Sequence, residues 1–177
     1  MSTKQMLLSG FGGQGILFAG KFLAYKGLTD GKQVSWLPSY GPEMRGGTAS
    51  CSVIISDEAV GSPIISNPDI LVAMNLPSLD KFEKSVVSGG IILADSTLIE
   101  RKVERDDVTV YYIPATRLAS ENGFSTLANM ILMGKLLEVL GGFNAEDVKA
   151  TLSKVISAKR ADMLETNLKA LKLGADF

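Results

Sequence analysis

The glycines of Gly10-Phe11-Gly12-Gly13-Gln14-Gly15 constrain this chain more than any other stretch. An apolar run, Met6-Leu7-Leu8, leads into them, and Ile16-Leu17-Phe18-Ala19 follows. Four glycines in six residues mark a tight strand-to-helix turn, because glycine accepts positive φ and lets another backbone or a phosphate come close. Gly10-x-Gly12-x-x-Gly15 is also the dinucleotide-binding pattern in its expected setting, opening a helix whose free N–H groups favour anions. Gly10, Gly12, Gly13, Gln14 and Gly15 are therefore candidate cofactor-binding residues.

A nicotinamide dinucleotide site further wants an acid at the end of the second strand, to take the ribose hydroxyls. The second strand, Gln33-Val34-Ser35-Trp36-Leu37-Pro38, ends without one. Asp30 comes too early and Glu43 lies beyond Pro38 and Pro42. A P-loop fares worse, since no Gly-Lys-Ser/Thr closes the turn and Lys21 sits about two helical turns in. From the glycines alone, a nucleotide or flavin site and a tight turn that binds nothing both stay open.

The next signal is Pro38-Ser39-Tyr40-Gly41-Pro42-Glu43-Met44-Arg45-Gly46-Gly47, ten residues with two prolines and three glycines. A segment this long inside a compact domain is usually functional or held by a partner. Arg45, next to Gly46, carries the planar fork that suits phosphate or carboxylate; the bland alternative is a surface arginine paired with Glu43.

Composition narrows the chemistry. The chain has 177 residues and no histidine, which removes the commonest general base and the commonest metal ligand together. Cys51, the single cysteine, cannot hold an iron–sulfur cluster or a structural zinc, so no catalytic and no metal residue is assigned and a reducing cytoplasm is expected. A net charge of −1 argues against a nucleic-acid partner. No apolar run is long enough for a membrane span, and Ser9, Gln14 and the glycines interrupt any secretion signal. Hydrophobic residues at 46% point to surface buried against partner chains.

In order, the pattern predicts strands near 5–9, 33–38 and 48–56, with a helix over 14–28 between the first two. In the third strand Ala49, Cys51, Val53 and Ile55 alternate with serines, so one face enters the core and Cys51 is a buried structural thiol. A connection without a helix makes the second and third strands antiparallel. Buried strands follow at 69–75 and 89–95, placing Asn75 and Asp95 at C-terminal strand ends, where ligands sit in open α/β sheets. Both also suit capping positions, and Asn75 joins the candidate binding residues. Residues 101–107 are a mixed charge run expected as a solvated loop, and a strand at 108–113 completes the sheet. The helix over 125–140 is apolar nearly all round, with Asn129 as an odd early polar residue. Residues 143–177 form a C-terminal helical segment. Its last stripe, Leu164, Leu168 and Leu171, is thin enough to suggest a helix leaning on a neighbouring chain. The expectation is one domain, 1–177, of three-layer α/β/α architecture, with a mixed, mostly parallel sheet and a Rossmann-like first βα unit.

Gly10–Gly15 taken with Pro38–Thr48, Ser62-Pro63, Pro68-Asp69, Asn75, Asp95-Ser96, Ile113-Pro114-Ala115-Thr116 and Ala128-Asn129 resembles the γ subunit of 2-oxoacid:ferredoxin oxidoreductases. In that family a 2-oxoacid and coenzyme A give an acyl-CoA and carbon dioxide, and ferredoxin takes the electrons. The resemblance implies partner subunits that carry thiamine diphosphate and the iron–sulfur clusters, and a γ domain that helps hold coenzyme A. It fits the 2-oxoglutarate type best among the pyruvate, ketoisovalerate and indolepyruvate enzymes. A stand-alone dinucleotide or flavin protein, and a scaffold without ligand contact, remain the alternatives.

Overall fold

A computed structural model describes residues 2–39 and 48–177; Arg45 and Gly46 lie outside the described residues. Six strands, β1 (Thr3–Phe11), β2 (Gln33–Ser39), β3 (Thr48–Ser56), β4 (Ile70–Ala73), β5 (Ile91–Asp95) and β6 (Thr109–Ile113), form one sheet in the order β2-β3-β1-β4-β5-β6. The helices are α1 (Ile16–Thr29), α2 (Leu76–Phe82), α3 (Ala115–Glu121), α4 (Ala128–Gly141), α5 (Ala145–Val155) and α6 (Asp162–Asp176).

β3 pairs antiparallel with both β1 and β2, whereas β1, β4, β5 and β6 pair in parallel. One reversed strand thus makes the sheet mixed, as the shortness of the β2–β3 connection predicts. Its register sets Thr48 opposite Phe11 and Ser50 opposite Ser39, so the entry to β3 lies beside the exits of β1 and β2.

The parallel strands β4 and β5 are apolar on both faces because both are covered. Met6, Leu8, Val53, Ile70, Val72 and Leu93 meet α1, α3 and α4 on one face, with α5 and α6 outside them. Leu7, Leu71, Ala73 and Ile92 meet Leu79 of α2 on the other. The three layers are present but unequal.

Small residues set how closely the layers approach. Gly20 and Gly27, seven apart, lie on one face of α1. A Cβ on Gly20 would overlap Cys51 Sγ, and one on Gly27 would come within 2.8 Å of Val34 Cγ2, so α1 rests directly on β2 and β3. Cys51 is fully buried beneath it and accepts a hydrogen bond from Trp36 Nε1 at 2.9 Å. Burial pushes the thiol up to about 12, with the tryptophan bond opposing only in part. The native chain is expected to resist thiol reagents at pH 8, reacting only as it unfolds. The folded thiol ionises later than its ordinary value near 9.0, so its contribution to stability is intact below that pH and is lost as pH rises towards 12. Urea midpoints of the natural chain and Cys51→Ala across that window check this; parallel curves would refute it.

Two expectations are refined. The 101–107 run is the expected surface loop, with Lys102, Glu104, Asp106 and Asp107 exposed, but its arginines pin it: Arg101 Nη2 reaches Asp80 Oδ1 and Glu83 Oε2 at 2.6 Å each, and Arg105 donates to the Val86 carbonyl. Glu83, only 4% exposed, also accepts the Glu104 N–H at 2.6 Å. The two arginines of the run thus pair with Asp107 inside it and with Asp80 and the buried Glu83 outside it. Nor does α6 need another chain, because it packs on α4 through Ala170, Leu171 and Gly174. A Cβ on Gly134 would collide with the Leu171 carbonyl, and one on Gly174 with the Ile131 carbonyl. The contact is backbone to backbone, which a count of large apolar side chains misses.

Candidate functional site

At the end of β1 the chain makes the predicted turn. Gly13 and Gly15 have φ of 91° and 74°, and Gly15 is the N-cap of α1. The helix has no side-chain cap and no acid in its first turn, so its leading N–H groups keep their anion-binding capacity. Phe11, Gly12, Gly13, Gly15, Leu17 and Phe18 line a depression of 250 Å³ closed by Ala49 of β3.

Gln14 occupies the inside of the turn. Its Oε1 accepts the Phe11 N–H at 2.6 Å and Asn75 Nδ2 at 3.3 Å, while its Nε2 donates to the Met74 carbonyl at 3.2 Å. Asn75 in turn caps α2, accepting the Ser78 N–H on Oδ1 at 2.9 Å. This carboxamide pair fills the crevice between the C-terminal ends of β1 and β4, where the strand order reverses and where open α/β sheets ordinarily take their ligands. Gly10 faces the same plug, since a Cβ there would lie 2.6 Å from Gln14 Oε1 and 2.8 Å from Ile16 Cδ1. The structure therefore brings Gly10, Gly12, Gly13, Gln14, Gly15 and Asn75 together, but splits them. Gly12, Gly13 and Gly15 face the depression, whereas Gly10, Gln14 and Asn75 build the turn. Arg45 and Gly46 fall in the segment that is not described.

Sequence reasoning passed over Asn129 as a site residue. Its Nδ2 donates to the Gly15 carbonyl at 3.0 Å, tying the start of α4 to the start of α1. A polar residue early in an otherwise apolar helix was the available signal. Asp95 is structural: buried at the end of β5, it accepts the Thr97 N–H at 3.0 Å and Thr116 Oγ1 at 2.5 Å. Among the described residues no group of three or more His, Cys, Asp or Glu is placed to hold a metal, and no helix is long and apolar enough to cross a membrane.

Residues 5–177 match the family model described as pyruvate ferredoxin/flavodoxin oxidoreductase. The chain is 41% identical over 171 residues to the ketoisovalerate oxidoreductase subunit VorA of Methanothermobacter thermautotrophicus; the match takes in 96% of this chain and spans 35% of that relative's length. It is 40% identical over 156 residues to the 2-oxoglutarate synthase subunit KorC of Methanocaldococcus jannaschii, covering 86% of this chain and 83% of the relative. Among solved structures, the γ subunit of a keto/oxoacid ferredoxin oxidoreductase from Geobacter sulfurreducens PCA superposes with a TM-score of 0.82 at 28% identity, covering 98% of this chain and 96% of that one.

Proposed function

Because the chain belongs to the pyruvate ferredoxin/flavodoxin oxidoreductase family, we propose that it is the accessory γ-type subunit of a cytoplasmic 2-oxoacid:ferredoxin oxidoreductase and helps hold coenzyme A. The enzyme oxidatively decarboxylates a 2-oxoacid, 2-oxoglutarate in our reading, to its acyl-CoA and passes the electrons to ferredoxin. Iron–sulfur clusters belong to partner chains, since one buried thiol without histidine cannot ligate them, and thiamine diphosphate is assigned to a partner chain with them.

One observation carries the assignment to coenzyme A: the uncapped, acid-free first turn of α1 opens into the depression walled by Gly12, Gly13 and Gly15. Phosphates of the coenzyme are matched by those N–H groups, and Arg45 with Gly46 supply a second contact from the adjoining segment. Gln14 and Asn75 hold the turn in shape for this. The chain's part is positioning: anchoring the phosphates steers the thiol towards an acyl group formed on other subunits.

Co-expression with the partner chains and an acyl-CoA assay test the proposal, with no turnover expected from this polypeptide alone. Calorimetric titration of the full chain should show coenzyme A binding in preference to NAD or FMN; the reverse order would reject the reading. In the assembled enzyme, Arg45→Ala is expected to raise the KM for coenzyme A about ten- to a hundredfold, the equivalent of a lost charged hydrogen bond worth roughly 1.5–3 kcal/mol, and to leave the KM for the oxoacid alone. Equal changes in both constants would point to assembly instead.

A further inference from the structure

A second, larger cavity of 460 Å³ also reaches Gly15, and nothing in the proposed function uses it. Its walls include Phe18 of α1, Asn129 of α4, Ile156 and Arg160 after α5, and Met163 and Asn167 of α6. The two asparagines are 3% and 1% exposed, and the Oδ1 of each has no hydrogen-bond partner among the described residues. Their orientation is fixed. Asn129 Nδ2 donates to the Gly15 carbonyl at 3.0 Å and Asn167 Nδ2 to the Met163 carbonyl at 2.8 Å, so flipping either amide would set oxygen against oxygen. The unused atoms are therefore both acceptors, and native proteins rarely leave two such atoms orphaned beside one cavity.

A ligand that fits must present N–H donors at an edge and apolar faces to Phe18, Ile156 and Met163. Its charged end belongs at the rim, where Arg160 stands and where α4 starts without a side-chain cap or an acid in its first turn. We propose that this cavity seats the 6-aminopurine of an adenosine phosphate, its amino group donating to the asparagine oxygens. The adenosine end of coenzyme A and a free adenine nucleotide share that chemistry; only the first source rests on the coenzyme reading above. Both oxygens are buried, so seating the base against them requires the segment that carries Arg160 and the start of α6 to move. Every residue from 157 to 162 is exposed, which makes that segment the lightly held side of the cavity.

Calorimetric titration of the full chain with adenosine 5′-monophosphate and inosine 5′-monophosphate tests this directly. The 6-oxo base turns an acceptor towards the two asparagine oxygens and is expected to bind at least about tenfold more weakly. Asn167→Leu, which removes one acceptor at similar volume, should weaken adenosine 5′-monophosphate by a similar factor without lowering the melting temperature. Equal binding of the two nucleotides would overturn the inference whatever becomes of the variant. So would an Asn167→Leu protein that folds and binds unchanged, the oxygens then being satisfied by buried water. Competition identifies the source: displacement of adenosine 5′-monophosphate by coenzyme A assigns the cavity to the coenzyme, and its absence to a free nucleotide. If coenzyme A binds while the two nucleotides bind alike, this inference fails and the coenzyme reading stands. If the amino preference holds but coenzyme A does not bind, the coenzyme reading fails alone.

Discussion

Gly134→Ala is expected to lower the melting temperature of the chain by roughly 6–12 °C, corresponding to about 3 kcal/mol for forcing extra volume into a closed contact in a domain of this size. Alanine ordinarily stabilises a helix interior by up to about 1 kcal/mol over glycine, so the sign itself is diagnostic. Here the added Cβ would also lie 2.7 Å from the Leu171 carbonyl carbon, and backbone cannot rotate out of the way as a side chain can. α4 and α6 must part, taking Leu171 and Ala170 out of the core. Gly174→Ala should do the same through Ile131, and the double variant should cost less than the sum, since the first opening makes room for the second. Gly61→Ala, with open space around it and no positive φ, is the control and should be neutral. Scanning calorimetry decides; an unchanged or raised transition for Gly134→Ala would mean the helices are not in contact there.

The second large effect is expected at Gly15→Ala in the assembled enzyme. The residue holds φ of 74°, which costs an L side chain about 1–2 kcal/mol. Its Cβ would collide with Asn129 Nδ2 and lie 3.0 Å from Cγ. Relief of that clash shifts the first turn of α1 and its N–H groups, so the KM for coenzyme A should rise about ten- to a hundredfold with that for the oxoacid little altered. Gly13→Ala separates strain from clash: its φ is 91° but nothing lies within 4 Å, and its effect should be the smaller of the two. An unperturbed coenzyme constant in Gly15→Ala would remove the glycine turn from the binding site.

Much of this was legible before any coordinates. Glycine spacing reports backbone directly, and the short, proline- and glycine-rich stretch before Thr48 suits an antiparallel neighbour rather than a parallel crossover, so the turn and the mixed sheet follow from local rules. Asn75 as a cap was legible for the same reason. What stayed hidden depends on contacts between distant segments. Gln14 reads as a ligand-facing amide until Met74 and Asn75 are seen beside it, 60 residues away. α6 reads as thinly apolar because Gly134 and Gly174 contribute proximity rather than bulk, and hydropathy is blind to proximity. Asn129 already stands out in the sequence, but Asn167, one polar residue among several in α6, joins it only once both are found lining one cavity.

Reversing β3 has a topological consequence for evolution of the site. Had that strand run with its neighbours, the chain leaving Ser39 would have had to travel the full height of the sheet before re-entering it. As built, Ser39 ends β2 next to Ser50 and Thr48 starts β3 next to Phe11, so the two ends to be joined lie on one rim. Insertions, deletions and substitutions between Ser39 and Thr48 can therefore be accepted while every hydrogen bond of the ladder stays in register. Such a scaffold lets that segment drift in length and sequence independently of folding.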